Sequence, residues 1–190
     1  MQIHRSAAAL LAALALPLAP AAHAIEYSQV AATASRIDFS YKQMGVGMDG
    51  RFGKSDIQLA FDPARPEAGR ASIEIDLVSI NTGSAEANAE VAGKAWFDTA
   101  RHPKAVFRST SVKALGGNRF EAAGTLTIKG RSRDVVAPFS FAQQGADGVF
   151  DGNFVIRRND FGIGEGEWAD PSLVANEIVV KFHVQAAARK

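Results

Sequence analysis

Of the side chains that most often build reactive or metal centres, this chain has four His, two Tyr, two Trp and no Cys. The lack of cysteine excludes disulfides, thiolate nucleophiles and cysteine-ligated metals together. His4 and His23 fall within the first 24 residues, which leaves His102, just before Pro103, and His183, between Phe182 and Val184. Neither has a partner at metal-ligand spacing, and a zinc site needs three or four ligands. The Gly-x-Ser-x-Gly elbow of a serine hydrolase is missing. Glu165 and Glu167 set two carboxylates side by side, but in a segment carrying Gly162, Gly164 and Gly166 they read as solvated loop charges, because acid–base chemistry needs a positioned group. Gly45-Val46-Gly47-Met48-Asp49-Gly50 spells a dinucleotide pattern, yet it leads into a strand and not a helix. It therefore lacks the helix N-terminus that holds a pyrophosphate, and it reads as a flexible hairpin loop. These patterns predict a protein that binds rather than one that catalyses. What the chain has in abundance is phenylalanine, twelve in all.

The first residues set the compartment. Met1 to Arg5 is a short, singly charged lead, Ala7 to Leu18 is a small or apolar run, and Ala22-His23-Ala24 is a small-x-small cleavage site. This is the pattern of a secretory signal peptide over residues 1–24, with a run too short to span a bilayer. The expectation is an exported, periplasmic protein whose single domain occupies 25–190. Without Arg5, Lys plus Arg falls from 21 to 20, against 20 Asp plus Glu, so the domain is close to neutral. No Lys/Arg-rich tract follows a phosphate backbone, which argues against a nucleic-acid partner. About 166 residues suffice to bury a sizeable core.

The elements that carry these residues are strands. The plainest signal is GTLTIKGRSRDVVAPFSF, Gly124 to Phe141, in which Leu126 and Ile128 alternate with Thr125 and Thr127, and Phe139 and Phe141 come after a turn at Lys129-Gly130-Arg131. Arg36 to Lys42 alternates Ile37, Phe39 and Tyr41 with polar partners. Arg51 to Phe61 changes parity between Phe52 and Ile57, which suggests a bulge near Gly53 to Ser55. Ala71 to Ile80 sets Ile73, Ile75 and Leu77 on one face. Ser84 to Trp96 is rich in helix formers and predicts a short helix. Further strands are expected over Ala105 to Ala114, Arg119 to Ile128, Ser132 to Ala142, Gly148 to Arg158 and Val174 to Ala186, while Ile25 to Thr33 is weakly patterned. About eight antiparallel strands and one helix predict an all-β barrel or sandwich. An eight-stranded barrel is either filled by its side chains or able to hold one small ligand.

Four motifs, in order, resemble the YceI family of exported lipid-binding barrels, over the span from about Ser35 to the last strand. They are Ser35-Arg36-Ile37-Asp38-Phe39-Ser40 with Met44-Gly45-Val46 and Gly50-Arg51-Phe52; Ile75-Asp76-Leu77-Val78-Ser79-Ile80-Asn81-Thr82-Gly83; Trp96-Phe97-Asp98 with Pro103 and Phe107-Arg108-Ser109-Thr110; and Gly124 to Gly130 with Ile156 to Ile163. The resemblance implies an extended eight-stranded antiparallel lipocalin-like β-barrel, with a short helix between strands and an apolar interior for an isoprenoid or related lipid. It implies no catalytic residue and no required cofactor. Histidines that members carry just before Ser35 and near Gln43 are replaced by Ala34 and Gln43, and the helix reads Ala87-Asn88-Ala89-Glu90-Val91.

The aromatic set taken by itself fits a packed core; the resemblance turns it into a cavity lining. The expected apolar lining is Phe39, Tyr41 and Phe52 early in the chain, Ile75, Leu77, Trp96, Phe97 and Phe107 in the middle, Leu126, Ile128, Phe139 and Phe141 on the hairpin, and Phe154, Ile156, Val180 and Phe182 at the end. Arg158 and Trp168 are the expected contacts for a polar head, with Tyr41 and Trp96 as further hydrogen-bonding candidates near the mouth. The expected occupant is a polyisoprenoid, a polyprenyl phosphate, a quinone or a fatty-acid-like lipid. Transient contact with a membrane surface or a membrane protein fits such a cargo, and pairing of two copies through an edge strand stays open. The rival readings are an envelope interaction protein with a solid core and an enzyme acting on a small apolar substrate. Lys129, Arg131 and Arg133 at the hairpin turn read as a solvated charge run, with a basic rim as the alternative.

Overall fold

The computed structural model describes residues 25–189, so the expected signal peptide lies outside the described residues. Eleven strands are hydrogen-bonded into one antiparallel sheet: β1 (Tyr27–Val30), β2 (Arg36–Gln43), β3 (Val46–Phe52), β4 (Ser55–Ala60), β5 (Arg70–Asp76), β6 (Ile80–Asn81), β7 (Lys104–Gly116), β8 (Arg119–Ile128), β9 (Arg131–Gln144), β10 (Asp147–Arg157) and β11 (Glu177–Ala188). One helix, α1 (Ala85–Ala92), lies between β6 and β7.

The strand order β4-β5-β7-β8-β9-β10-β11-β2-β3-β6 returns on itself. β3 runs into β4 through Gly53 and Lys54, and β5 runs into β6 through a 3-10 turn at Leu77–Ser79. The two halves of each bent segment pair with different neighbours: β3 with β2 and β6, β4 with β5, and β5 also with β7. Joined at these bends, the segments form the eight walls of a curled, lipocalin-like antiparallel barrel. The parity change between Phe52 and Ile57 is thus a strand break at a corner, not a bulge. Ala71 to Ile80 is likewise two strands around a turn.

The expected loop across Gly45 to Gly50 is a two-residue turn. Met44 and Gly45 take φ of 47° and 80°, and β3 starts at Val46. Positive φ at both central residues matches the twist of the flanking strands, which is why such turns join hairpins. Gly50 therefore lies within a strand, opposite Phe39, and a Cβ there would overlap the Phe39 ring. Four residues of the weakly patterned start form β1, which pairs with the end of β11 and bridges to Phe61, sealing the gap between β11 and β4. The last strand begins at Glu177, not Val174.

Alternation does the rest. Along β8 every second residue from Phe120 to Ile128 is buried, so Leu126 and Ile128 face inward as the sequence predicts. The turn at Lys129-Gly130, with φ of 50° and 71°, carries the chain into β9.

Candidate ligand cavity

The interior is not packed solid. A cavity of about 520 Å³ runs up the inside of the barrel, within the range of small-ligand pockets. Phe39 and Tyr41 line it from β2, Phe52 from β3, Ile75 from β5 and Leu77 from the adjoining bend. Phe107 on β7, Leu126 and Ile128 on β8 and Phe139 on β9 form the next walls. Phe154 and Ile156 on β10 and Val180 and Phe182 on β11 complete the ring, with Trp96 and Phe97 from the segment after α1. Ile37, Ile57, Leu59, Ile73 and Ile178 join them in the same inward parity.

Phe141 is the one expected lining residue that does not reach the cavity. It belongs to an aromatic cluster that closes one end. The Phe61 ring lies 5.1 Å from Phe120, 5.8 Å from Phe139, 5.4 Å from Phe141 and 5.3 Å from Phe150, and Tyr27 lies 5.1 Å from Phe141. Offset and edge-on aromatic pairs of this kind add to the burial they share.

The other end is covered by α1 and by the segment between β10 and β11. Ser84 caps α1, its hydroxyl accepting from the Ala87 N–H, and Thr82 donates from both N and Oγ1 to Asn88 Oδ1 at 2.8 Å. The helix turns Ala87 and Val91 to the cavity, flanked by Glu86 and Glu90. Neither glutamate forms an ion pair with a described residue.

Arg158 is 1% exposed and is the largest fully buried side chain. Its Nε donates to the carbonyls of Val174 and Ala175, Nη1 to those of Ile163 and Gly164, and Nη2 to those of Trp168 and Val174. A guanidinium has five N–H donors, and here they are taken up by five carbonyl oxygens. Arg158 sits in the cavity wall but keeps no donor for a ligand head; it holds the rim segment in place. Burial lowers its pKa, since no carboxylate accompanies it. Trp168 stays on the wall, its ring 5.5 Å from that of Trp96. Tyr41 also lines the cavity, and burial raises its phenol above the ordinary 10.0, keeping it neutral.

Lys129 is neither a solvated charge nor a free basic rim. Its side chain is 9% exposed, and Nζ donates to the carbonyls of Lys94 and Gly162 and to Glu165 Oε2 at 3.1 Å. Arg131 meets the other oxygen of Glu165, also at 3.1 Å. Glu165 is thus a clamp, held below its ordinary 4.5 first by Lys129 and then by Arg131. His183 Nδ1 lies 2.6 Å from Asp151 Oδ1 on the neighbouring strand. No three His, Cys, Asp or Glu among the described residues are grouped to hold a metal.

The model of the YceI-like domain matches residues 29–186. The chain belongs to the YceI family. Among curated relatives, the UPF0312 proteins of Pseudomonas savastanoi pv. phaseolicola and Pseudomonas syringae pv. syringae are each 32% identical to it over 134 residues, covering 67% of this chain and 70% of theirs. Among solved structures, Burkholderia cenocepacia BcnA superposes with a TM-score of 0.82 at 42% identity, covering 84% of this chain and all of that one. A polyisoprenoid binding domain from Saccharophagus degradans, implicated in plant cell wall breakdown, gives 0.65 at 18% identity over 87% and 99% of the two chains. At that identity the likeness speaks to the fold. Within this YceI barrel, the motif from Ile156 to Ile163 delivers Arg158, and Trp96-Phe97-Asp98 brings two aromatic rings from the end of α1 to the cavity.

The sequence does not single out the helix face or the carbonyl ring around Arg158. The spacing of Glu86, Ala87, Glu90 and Val91 is a helical face, and is the signal that finds the first. Nothing local marks the second, because its acceptors are backbone atoms.

Proposed function

We propose that this YceI barrel is an exported, periplasmic carrier that buries a long apolar chain, of isoprenoid, polyprenyl phosphate or quinone type. The observation that carries the reading is the apolar cavity itself, about 520 Å³ and closed at one end by aromatic rings. Each methylene moved from water into such a lining contributes about 0.8 kcal/mol. A dozen contribute roughly 10 kcal/mol, on the scale of the ~4–15 kcal/mol cost of association. Long chains are therefore held and short ones are not. From Phe150 to Ile156 along β10 is roughly 20 Å at the strand rise, enough depth for an extended tail. A fatty-acid-like lipid is the lesser candidate of the same class.

Cargo of this kind has to be taken from and returned to a membrane. Met44, at the tip of the β2–β3 turn, is 69% exposed and Val46 is 62% exposed. They flank the hairpin end beside Gln43, which lines the cavity, and the Met44 N–H donates to the carbonyl of Leu173, another exposed apolar residue. An apolar tip beside the mouth suits transient contact with a lipid surface. Export is supported by the pattern of residues 1–24.

Gentle purification followed by native mass spectrometry tests the carrier reading. Co-purified lipid, or uptake of an added long-chain quinone or polyprenyl phosphate, is the expected result. Reproducible absence of bound lipid together with no uptake of either probe would overturn it.

A further inference from the structure

One buried side-chain polar atom lacks a hydrogen-bond partner among the described residues: the indole Nε1 of Trp96. Trp96 is 7% exposed, and it is part of the cavity wall. Indole has one donor and no acceptor, and a buried donor left unmet costs free energy that an incoming oxygen returns. The position is fixed from several sides. The Trp96 backbone N–H donates to the Gly93 carbonyl, the Ala95 carbonyl accepts from the N–H of both Gly164 and Glu165, and the Trp168 ring stands alongside. The guanidinium carbon of Arg158 lies 5.8 Å from the centre of the Trp96 ring, and Arg158 has no carboxylate partner among the described residues. A cation whose N–H groups are all occupied still makes its surroundings electropositive, which favours an electron-rich atom beside the indole. The end around Phe61 and Phe139 is lined by rings with Val112 and Ala122 among them, and Arg70 at its margin is exposed and donates to the Ala68 carbonyl.

We propose that the Trp96 indole N–H anchors the polar end of the bound lipid by donating to one of its oxygens, a quinone carbonyl or a prenyl phosphate oxygen, with the tail running toward the aromatic seal at Phe61. The proposal rests on the carrier reading and sharpens it: the cargo is an acceptor-headed lipid, not a bare hydrocarbon, and it enters tail first. Trp96 selects the head, whereas Arg158 shapes the wall behind it.

The test uses the full chain labelled with nitrogen-15. It contains two Trp, so two indole signals are expected, assigned with Trp96→Phe. Three probes are titrated: a prenylated benzoquinone, a prenyl phosphate of matching tail, and squalene, which has an isoprenoid chain and no oxygen. The Trp96 indole signal is expected to move downfield with the oxygen-bearing probes and to show no such shift with squalene. Trp96→Phe is expected to weaken the oxygen-bearing probes about five- to tenfold beyond any change it makes to squalene, as loss of one hydrogen bond does, and retained squalene binding also shows that the variant folds. Trp168→Phe should preserve the Trp96 response. Weakening of only one oxygen-bearing probe supports the anchor and identifies which head the site takes. Equal response to all three probes, or a Trp96→Phe variant that binds all three like the parent, overturns the anchor while leaving the carrier standing. If no probe binds the parent chain, the carrier reading itself falls.

Discussion

Phe182 on β11 lies against Gly152, its register partner on β10, so closely that a Cβ at 152 would overlap both the ring and the Pro138 carbonyl oxygen. The same arrangement recurs between Phe39 and Gly50. An inward ring thus rests on a patch of bare backbone, which lets the wall curve and draws the ring close against it. Gly152→Ala is expected to cost about 1–3 kcal/mol, the usual range for overpacking. Urea denaturation followed by circular dichroism reads the change, and a midpoint equal to that of the parent would refute the contact's role.

Arg158→Met removes a cation from five carbonyls while keeping much of its volume. Buried acceptors left without donors cost about 1–3 kcal/mol each at first sight, and partial relaxation lowers the total to roughly 3 kcal/mol. Arg158→Lys recovers only part, because an ammonium has three donors and no fork. The ordering Arg above Lys above Met in thermal melts is the expected result. A direct head contact would instead predict intact stability with reduced affinity.

The Glu165 clamp gives a pH dependence with a definite sign. Its folded pKa lies below the ordinary 4.5, so its contribution is complete above the unfolded value and is lost as pH falls through the folded one. Amides of Ile163 and Gly164 should therefore lose hydrogen-exchange protection as the solution is taken below about pH 4.5, whereas Glu165→Gln should show weaker and pH-flat protection in that window. Parallel behaviour of the two proteins would remove the clamp from the account.

Ala122 lines the cavity near the aromatic seal, opposite Val112 in register. Ala122→Phe should shorten the space available to a tail. Affinity for a long prenyl quinone is expected to drop by tenfold or more, since about 1.4 kcal/mol is a factor of ten and two lost methylenes exceed that. An analogue whose tail is long enough to bind but ends short of Ala122 should bind as before. Isothermal titration of both ligands decides it; equal losses would mean that the tail does not reach this depth.

Replacing Met44 and Val46 together by Asp should slow transfer of a quinone from lipid vesicles, with equilibrium affinity in detergent unchanged. Stopped-flow transfer rates that match those of the parent would show that the tip does not meet the bilayer.

Much of the barrel is legible in the residues. Period-two alternation from Phe120 to Ile128 places the β8 lining directly, because a pleated strand has only two faces. The family motifs carry the barrel and its apolar interior. Less visible is anything decided by pairing across distance. Phe52 and Ile57 look like one strand with a bulge, because sequence records the parity change but not that β3 and β4 face different neighbours. Phe141 alternates like a lining residue yet belongs to the seal, since the depth of a residue along the barrel axis leaves no mark on its periodicity. Arg158 reads as a head contact because its partners are carbonyl oxygens, which every residue has and no side chain announces.

Those carbonyls have one more implication. Ile163, Gly164, Trp168, Val174 and Ala175 all turn toward a single positive charge, so releasing any one of them leaves the cation under-solvated and strains the hold on the rest. The segment they belong to will open in one concerted step or stay shut, like a drawstring knotted at one point. α1, tied to Thr82 through Asn88 and to the chain after it through the Val91 and Ala92 carbonyls, does not share that knot.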